Sequence, residues 1–471
     1  MIAPEHLRIA IIGAGPAGLT FAYWLGRLGL RAVQIFEASD EVGGQSVTRS
    51  VDGFAVELGT AYLAPGSRLA KRIAAEVGCP AEPLPPATLL DATGKIIHPD
   101  APGSSARVRY GLAWLHWSLG GQMRVPSHPD NAQSFADWLR GHGLADWTTE
   151  VAFGASMAAR LHGPLDAISA HRGLCEMRPS LLLTRSPQPS AWIPLGFQNL
   201  WKRLTQQLGF PIRLRQRIDT VRPIPGRDRR QVELLFEGKR IDEPFDHVIL
   251  ACPLDRLEDH PVEHVRGSPL AAIDHPLSRA LRERYSAFAA SEVYSAAWRA
   301  TNWPAQATSR CSLPAGATGE PGRWLTLRRC GQIGGRFVGQ LCVHALPEVP
   351  PAADEERFAR HAMRLRANRE RVIADMRGIV GLDEVEIVHE RLWRHDVRYS
   401  CRQIEEGLPG FIDASQGTRN VWYTGGALSQ WSIDAIADFN RRLARRFARQ
   451  IRLPLRARLK LIRPGDLLND L

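Results

Sequence analysis

Lysine is rare in this sequence of 471 residues, and arginine supplies nearly all of the positive charge behind its formal net charge of +11. No lysine lies between Lys239 and Lys460, which disfavours any reaction that needs a lysine from that long stretch. A basic balance is compatible with nucleic acid, a membrane surface or an anionic substrate, and it is also typical of a GC-rich genome. Because no helix-turn-helix, zinc finger or RNP-like aromatic strand is visible, we expect no nucleic-acid partner.

Clustered cysteines and long apolar runs are also missing. The seven cysteines are scattered, with neither a CxxC pair nor a His/Cys cluster, so no metal site is predicted and free thiols in a reducing cytoplasm are expected. No apolar run approaches the roughly 18–20 residues that span a bilayer. The first strand is predicted to begin at about residue 7, which leaves no room for a signal peptide. We therefore expect a cytoplasmic protein of two or three domains, or of two interleaved ones.

A glycine pattern directly follows an apolar run at the N-terminus. Residues 8–12 read RIAII, which is typical of a buried parallel strand. Three glycines then alternate with small residues and a proline: Gly13, Ala14, Gly15, Pro16, Ala17 and Gly18. In this order Gly13 permits a tight turn, Gly15 lets the backbone approach a pyrophosphate, and Gly18 lets a helix pack on the strand.

A helix and a second strand complete the pattern. Pro16 suits the first turn of a helix, where its missing N–H has no partner to lose. The helix predicted over 17–28 directs its positive end at the phosphates. The second strand, residues 33–36, ends at Glu37 and Ala38, where a carboxylate accepts hydrogen bonds from the hydroxyls of an adenosine ribose. The sequence therefore predicts a dinucleotide-binding unit.

Three further blocks accompany this unit. They are Gly43-Gly44-Gln45 with Glu57-Leu-Gly59-Thr60, then Asp246-His-Val-Ile-Leu-Ala251-Cys-Pro253, and finally Gln416-Gly417-Thr-Arg419-Asn420 running into Gly425-Gly426-Ala-Leu-Ser429-Gln-Trp431-Ser432. Together they resemble the flavin-dependent amine oxidase superfamily over about half of the chain. The wording of the last block is closest to the branch that contains polyunsaturated fatty acid isomerases and cyclopiazonate dehydrogenase-like enzymes.

The resemblance implies FAD as the cofactor and a role for each block. Gly43 and Gly44 continue the pyrophosphate cradle, and Gly59 and Thr60 come near the flavin ring. The backbone of Ile218 meets the adenine. The glycine turn and helix start over 425–432, which include Trp431 and Ser432, direct amides at the N1/O2 edge of the flavin.

Three departures from the family pattern bear on the chemistry. Gln45 stands where the family commonly has arginine or lysine, so a phosphate contact is either neutral or supplied by Arg49. Gly426 stands where the family usually has an acid. Amine oxidases of the superfamily use a lysine in the substrate domain to hold a water at flavin N5, and this chain has none in the corresponding stretch. Simple amine oxidation by that route is therefore disfavoured.

The expected fold class is α/β (α+β overall), a Rossmann-type FAD-binding domain with an interleaved mixed-sheet and helical substrate domain. We assign 1–85, 195–262 and 396–452 to the FAD-binding domain, 86–194 and 263–395 to the substrate domain, and 453–471 to a basic tail. Two basic segments that also carry apolar residues, 107–117 and 441–463, are compatible with peripheral membrane contact, with docked helices or, for the second, with a partner-binding arm.

The predicted function is that of an FAD-dependent oxidoreductase. It abstracts hydride from a C–H bond of an apolar or aromatic small metabolite, in specialised metabolism. One alternative is a flavin-dependent double-bond isomerase of an unsaturated lipid, and another is a non-catalytic flavoprotein-fold scaffold. Several aromatic side chains and one histidine lie close in sequence to the flavin-facing blocks, and each of them also has a structural explanation. The catalytic candidates among them are Tyr62, His395, Tyr399 and Trp431, with Trp422 and Tyr423 weighed beside them.

Overall fold

The N-terminal apolar run forms the middle strand of a five-stranded parallel sheet in the computed structural model of the protein. All four residues of β1 (Ile9–Ile12) are buried. The strand lies between β12 (His247–Leu250) and β2 (Val33–Phe36), and β18 (Val421–Tyr423) and β8 (Ile212–Arg213) form the two edges. A parallel strand that is covered on both faces needs a continuous apolar run, which is what the sequence provides.

The structure describes residues 6–91, 93–96, 103–120, 128–144, 153, 157, 160–178, 190–224, 231–241, 243–254, 285, 288–305, 307–314, 324–346 and 357–461. Within them the remaining strands are β3 (Thr48–Val51), β4 (Phe54–Glu57), β5 (Glu82–Pro83), β6 (Thr88–Leu89), β7 (Ala191–Trp192), β9 (Thr220–Ile224), β10 (Gln231–Phe236), β11 (Lys239–Arg240), β13 (Ala289–Thr301), β14 (Arg310–Pro314), β15 (Trp324–Ile333), β16 (Arg336–His344) and β17 (Asp383–Arg398). The α-helices are α1 (Pro16–Leu28), α2 (Arg68–Glu76), α3 (Ser104–Leu119), α4 (Pro129–Ala132), α5 (Phe135–Gly141), α6 (Ala170–Glu176), α7 (Phe197–Leu208), α8 (Arg357–Gly378), α9 (Cys401–Glu405), α10 (Leu408–Ser415), α11 (Ile433–Gln450) and α12 (Leu455–Leu459).

Helices α1 and α11 pack side by side on one face of the parallel sheet. Their shared core contains Leu19, Phe21 and Trp24 from α1 and Leu443 and Phe447 from α11, all at most 5% exposed. The apolar residues of each helix recur every three or four positions, so each presents one buried stripe. This arrangement brings the N-terminal ends of both helices to the carboxyl edge of the sheet, where ligands bind in open α/β sheets.

A second sheet of six strands, in the order β17-β13-β16-β15-β14-β6, forms the wall of the molecule opposite that edge. Alternate residues of its strands point to opposite faces. On the outer face Leu325, Leu327 and Leu341 pack with Val372 and Met376 of α8. The inner face carries polar side chains and is partly covered by the hairpin of β3 and β4.

Helices α3 to α6 form a separate helical lobe. Its core includes Tyr110, Trp117, Phe135 and Trp138, each at most 3% exposed. The sequence predicted helices here, and the buried aromatic residues explain why the lobe is rich in tryptophan. Among the described helices, none combines the length and the apolar character that a bilayer crossing requires.

Strand β17 links the predicted domains. Its 16 residues run without interruption from Asp383 to Arg398 and pair with β13 along almost their whole length. The strand therefore continues across the boundary that we placed between residues 395 and 396. Since the structure contains no test of independent folding, the division into domains stays a prediction.

Candidate functional site

Two glycine loops meet at the carboxyl edge of the parallel sheet. The Gly43 N–H donates to the Ala14 carbonyl at 2.9 Å, which holds the second loop against the first. Gly44 has a φ of +55°, and a Cβ at this position would lie 2.9 Å from the Gly15 Cα. At Gly18, a Cβ would lie 1.9 Å from the Gly13 carbonyl oxygen. Any larger residue would push the loops or the helix apart, so the sequence pattern forms a narrow cradle of backbone amides.

Glu37 lies at the end of β2, beside this cradle. Its side chain is buried; Oε2 accepts a hydrogen bond from the Ala14 N–H at 2.7 Å, and Oε1 accepts from the Ser39 hydroxyl at 2.6 Å. The carbonyl of Glu37 accepts from the Gln216 N–H at 2.8 Å, and this contact places the buried Ile218 next to the same strand end. Glu37 and the segment that carries Ile218 are thus neighbours at this strand end, and their contacts with the ribose and adenine stay predictions.

An asparagine within α11, which sequence analysis did not identify, connects this helix to the first turn of α1 and the residue after it. Asn440 is fully buried, and its Nδ2 donates to the Ala17 carbonyl and to the Thr20 hydroxyl, both at 2.7 Å. The Thr424 hydroxyl donates to Asn440 Oδ1. The sequence contains one indication of this role, because Asn440 is a polar residue among the apolar positions of a long helix. Ser432, a predicted site residue, is the N-cap of α11 and accepts from the Ala435 N–H at 3.1 Å.

The end of β17 joins the remaining predicted blocks. The Gln45 side chain donates to the Arg394 carbonyl at 2.9 Å, and the Thr60 N–H donates to the Gln45 carbonyl at 3.0 Å. The Trp393 indole donates to the Leu58 carbonyl. The loop that begins at Gly43, the segment Gly59–Thr60 and β17 therefore form one surface.

Arg49, the alternative phosphate contact, is engaged elsewhere. Its Nη1 lies 3.3 Å from Glu41 Oε2 and donates to the Thr48 carbonyl at 3.2 Å. Gln45 is the residue of the two that lies within the loop at Gly44. The side-chain amide of Gln45 is engaged as well, with the Arg394 carbonyl, so both alternatives for the phosphate contact stay predictions.

His395 and Trp431 are in direct contact. The indole N–H of Trp431 donates to His395 Nδ1 at 3.3 Å, and the ring centroids are 5.6 Å apart. Burial lowers the pKa of His395 to about 3, because the neighbouring Asp396 only partly offsets the loss of water around the ring. The imidazole is therefore neutral near pH 7. Since Nδ1 accepts a hydrogen bond from the indole N–H, it carries no proton, and Nε2 carries the proton of the neutral ring.

Trp431 also explains the departure at Gly426. A Cβ on Gly426 would lie 2.2 Å from Cε3 of the indole, so the ring packs flat on the glycine. With Trp431 in this position, an acidic side chain at position 426 would clash with the indole. Gly425 has a φ of +144° and begins the turn into α11.

The other catalytic candidates contact different residues. Tyr399 packs on Phe288 with ring centroids 5.6 Å apart, and Tyr62 lies under the guanidinium of Arg310, which is 5.6 Å from the ring centroid. Burial raises the pKa of both phenols, so both are protonated near pH 7. Trp422 and Tyr423 are fully buried within β18 and belong to the core, which excludes them as site residues.

A buried cluster of charges lies directly behind His395. Asp396 is fully buried, and its carboxylate lies 2.7 Å from Arg172 Nη2, 2.8 Å from His162 Nδ1 and 3.0 Å from Arg398 Nη1. Burial opposes ionisation, but Arg172 and His162 outweigh it and hold the pKa of Asp396 below its usual range. Glu176 lies 3.2 Å from Arg172; burial opposes its ionisation, but Arg172, His162 and Arg160 together outweigh burial and lower the pKa of Glu176 to about 2.

This charge cluster joins the helical lobe to the sheet. His162, Arg172 and Glu176 come from the lobe, whereas Asp396 and Arg398 come from β17. In the structure His162 and Arg172 are paired with these internal carboxylates. Widely separated residues carried no local signal for the pairing.

Comparison with known proteins now assigns the family. The model of the family described as flavin containing amine oxidoreductase matches residues 16–329, which is more than half of the chain. The chain belongs to this family. It is an FAD-dependent oxidoreductase, and the predicted resemblance, cofactor and enzyme class are confirmed.

Curated relatives align over short stretches only. Over 80 residues the chain is 36% identical to AofH of Mycobacterium tuberculosis, whose name describes it as a flavin-containing monoamine oxidase. Over 57 residues it is 42% identical to putrescine oxidase of Kocuria rosea. The alignments span 17% and 12% of this chain and the same shares of the two relatives. Their activities therefore do not transfer to this protein directly.

Solved structures share the fold over nearly the whole chain. A fatty acid isomerase from P. acnes that produces CLA superposes with a TM-score of 0.74 at 20% identity, covering 95% of this chain and 100% of its own. Wild-type putrescine oxidase bound to putrescine gives 0.63 at 17% identity, with 95% and 99% covered. At these identities the likeness establishes the fold, and it confirms the predicted α/β class.

Proposed function

We propose that this FAD-dependent oxidoreductase removes a hydride from a C–H bond of an apolar or aromatic small metabolite in specialised metabolism. The observation that carries the proposal is the contact of neutral His395 with Trp431 beside the glycine turn at Gly425. The missing lysine between Lys239 and Lys460 supports a substrate other than a simple amine.

In this proposal the glycine loops hold FAD. The residues present fit a pyrophosphate, because the closely packed backbone at Gly15, Gly18 and Gly44, beside the N-terminal end of α1, forms a cradle that side chains would fill. Glu37 would bind the ribose and Ile218 would border the adenine. Gly59, Thr60 and the turn over 425–432 would border the flavin ring. When bound, FAD supplies the acceptor for the hydride.

The protein's own residues would orient the substrate and exclude water. His395 offers an Nε2–H donor, because its Nδ1 is held by Trp431. A neutral donor of this kind positions a polar atom of the substrate, and a histidine with a pKa of about 3 is a poor general base near pH 7. We therefore assign His395 a binding and orienting role. Trp431 fixes its ring, and Tyr62 and Tyr399 would form apolar parts of the chamber.

A double-bond isomerase of an unsaturated lipid is the second candidate. Two observations favour it. The fold is similar to that of the P. acnes fatty acid isomerase over 95% of the chain, and the sequence of residues 416–425 resembles the branch that contains such isomerases. An isomerase returns the hydride to another carbon, so turnover consumes no oxygen. Measurement of oxygen uptake during substrate conversion separates the two reactions.

We also propose peripheral contact with a lipid surface through α3. Four aliphatic side chains form one stripe along this helix and are 47–77% exposed: Val108, Leu112, Leu115 and Leu119. A stripe of this length on the outside of a protein is uncommon unless something covers it. The neighbouring Arg107 and Arg109 suit the anionic head groups of a lipid surface.

The first test is the visible spectrum of the purified protein, followed by heating and identification of the released chromophore. Released FAD, together with substrate-dependent bleaching under anaerobic conditions, supports the proposal. Glu37→Ala should retain much less FAD, whereas Glu41→Ala, which changes a carboxylate paired with Arg49 and Lys202, should retain it. A colourless protein that FAD does not reconstitute would leave only the scaffold hypothesis.

A further inference from the structure

The inner face of the six-stranded sheet carries an unusual pair of arginines. Arg310 on β14 and Arg328 on β15 are direct cross-strand partners, so their side chains leave the same face of the sheet. Both line a small pocket with Tyr62, Thr326, Gln340 and Cys342. Like charges directly opposite each other destabilise an antiparallel pair. The arrangement therefore calls for an explanation.

Neither guanidinium is paired with a carboxylate within the part of the chain that the structure describes. The partner of Arg310 is the ring of Tyr62, at 5.6 Å, and that of Arg328 is the ring of Trp192, at 3.8 Å. Both contacts are cation–π interactions, which hold a guanidinium in place without neutralising it. Arg328 is only 7% exposed, so little solvent screens its charge.

Neither the acid that acts on Arg328 nor the thiol that lines the pocket supplies a negative charge. Burial raises the pKa of Glu57, the acid that acts electrostatically on Arg328, to about 8, so this carboxyl is mostly protonated at pH 7. Burial also raises the pKa of the Cys342 thiol to about 11, which keeps it neutral. Desolvation is the largest cause that lowers the pKa of the buried Arg328, and the charge of Arg310 acts in the same direction with a smaller effect.

The pocket adjoins the candidate flavin site. Tyr62 follows Thr60 by two residues, and Thr60 is hydrogen-bonded to Gln45 in the second glycine loop. On the sheet side, Arg328 is paired in register with Gln340, whose Oε1 accepts from the Glu57 N–H at 3.1 Å. The pocket is thus lined by the segment that leads away from the predicted flavin contacts and by the polar face of the sheet.

We propose that Arg310 and Arg328 form a binding site for the carboxylate of an organic acid substrate. Arginine is the side chain best suited to a carboxylate, because its planar fork donates two parallel hydrogen bonds. A bound carboxylate would neutralise the repulsion between the two guanidiniums, and local destabilisation of this kind is typical of functional sites. The inference rests on the proposed function and narrows its substrate to apolar or aromatic metabolites that carry a carboxylate.

Calorimetric titration of the flavin-loaded protein tests the site with defined probes. The probes are octanoate, phenylacetate and indole-3-acetate, each compared with its own primary amide. At least one acid should bind about tenfold more tightly than its amide, since hydrogen bonds to charged groups are the strong ones. Arg310→Gln and Arg328→Gln should each lower the affinity for that acid by about tenfold or more and leave the amide unaffected.

Two controls separate loss of charge from loss of structure. Arg336→Gln changes an exposed arginine of the same sheet, which lies 3.4 Å from Glu384, and should leave the preference for the acid unchanged. Arg328→Lys keeps the charge and should retain part of the preference. The visible spectrum of each variant reports whether the flavin, and with it the fold, is retained.

The proposal is overturned if no acid of the panel binds more tightly than its amide, or if the preference survives in the Arg310→Gln/Arg328→Gln double variant. Binding is measured without turnover, so it stands apart from the proposed reaction. A protein that bleaches with neutral metabolites and shows no preference for acids contradicts the carboxylate site alone, and one that binds acids but is never reduced contradicts the reaction alone.

Discussion

Replacement of Asp396 by asparagine should strongly destabilise the attachment of the helical lobe. The carboxylate is fully buried between Arg172, His162 and Arg398, all within 3.0 Å. Its φ of +48° is one that asparagine adopts more readily than most residues, so the backbone should tolerate the change. The variant then removes one negative charge and leaves the two arginines buried with less compensation. Breaking a buried ion pair from one side costs about 3–5 kcal/mol.

Urea and thermal unfolding of wild type and Asp396→Asn measure this loss. Glu370→Gln is the matched control, because Glu370 and Arg366 form a pair on α8 with both side chains more than 60% exposed. An exposed pair of this kind contributes at most about 1 kcal/mol. Limited proteolysis should also cleave the lobe of Asp396→Asn faster. If the two variants lose the same stability, the charge cluster does not hold the lobe and the reasoning is refuted.

Three further predictions concern a buried acid, the glycine cradle and the exposed stripe. The folded-state pKa of Glu57, about 8, exceeds its ordinary 4.5, so the stability of the wild type should fall as the pH rises from 4.5 to 8; Glu57→Gln should lose this dependence in unfolding measured across that range. Gly44→Ala should sharply reduce FAD occupancy in the visible spectrum, because its Cβ would lie 2.9 Å from Gly15. The Leu112→Gln/Leu119→Gln double variant should sediment less with anionic phospholipid vesicles than wild type, and equal sedimentation would contradict the lipid-surface proposal.

Local patterns predicted the cofactor half of the molecule well. The strand, turn and helix around Gly13 and Gly15 depend on neighbours in sequence, and the structure places them as the pattern requires. The roles of Glu37 and Ile218 were inferred from the same kind of pattern and stay predictions. The family match later confirmed the cofactor to which these patterns pointed.

The residues that sequence analysis missed owe their roles to long-range contacts. Asp396 is hydrogen-bonded to Arg172, which is 224 residues away in sequence, and Asn440 is hydrogen-bonded to Ala17, which is 423 residues away. Neither pairing follows from periodicity or spacing, because only the folded topology brings these elements together. Trp422 and Tyr423 show the opposite error. They were considered as catalytic candidates because they are close in sequence to the last glycine turn, but both side chains are buried in the core.

The charge cluster and the neutrality of His395 are two parts of one electrostatic arrangement. A histidine next to an aspartate in sequence would ordinarily gain a higher pKa from that carboxylate. Here Asp396 is surrounded by Arg172, Arg398 and His162, so the net field that reaches His395 is too weak to overcome burial, and its pKa falls to about 3. The absence of lysine from the same stretch removes another cation from the chamber. In our proposal the side of the chamber at His395 is neutral, and Arg310 and Arg328, which have no carboxylate partner among the described residues, would receive the anionic end of a substrate with an apolar body.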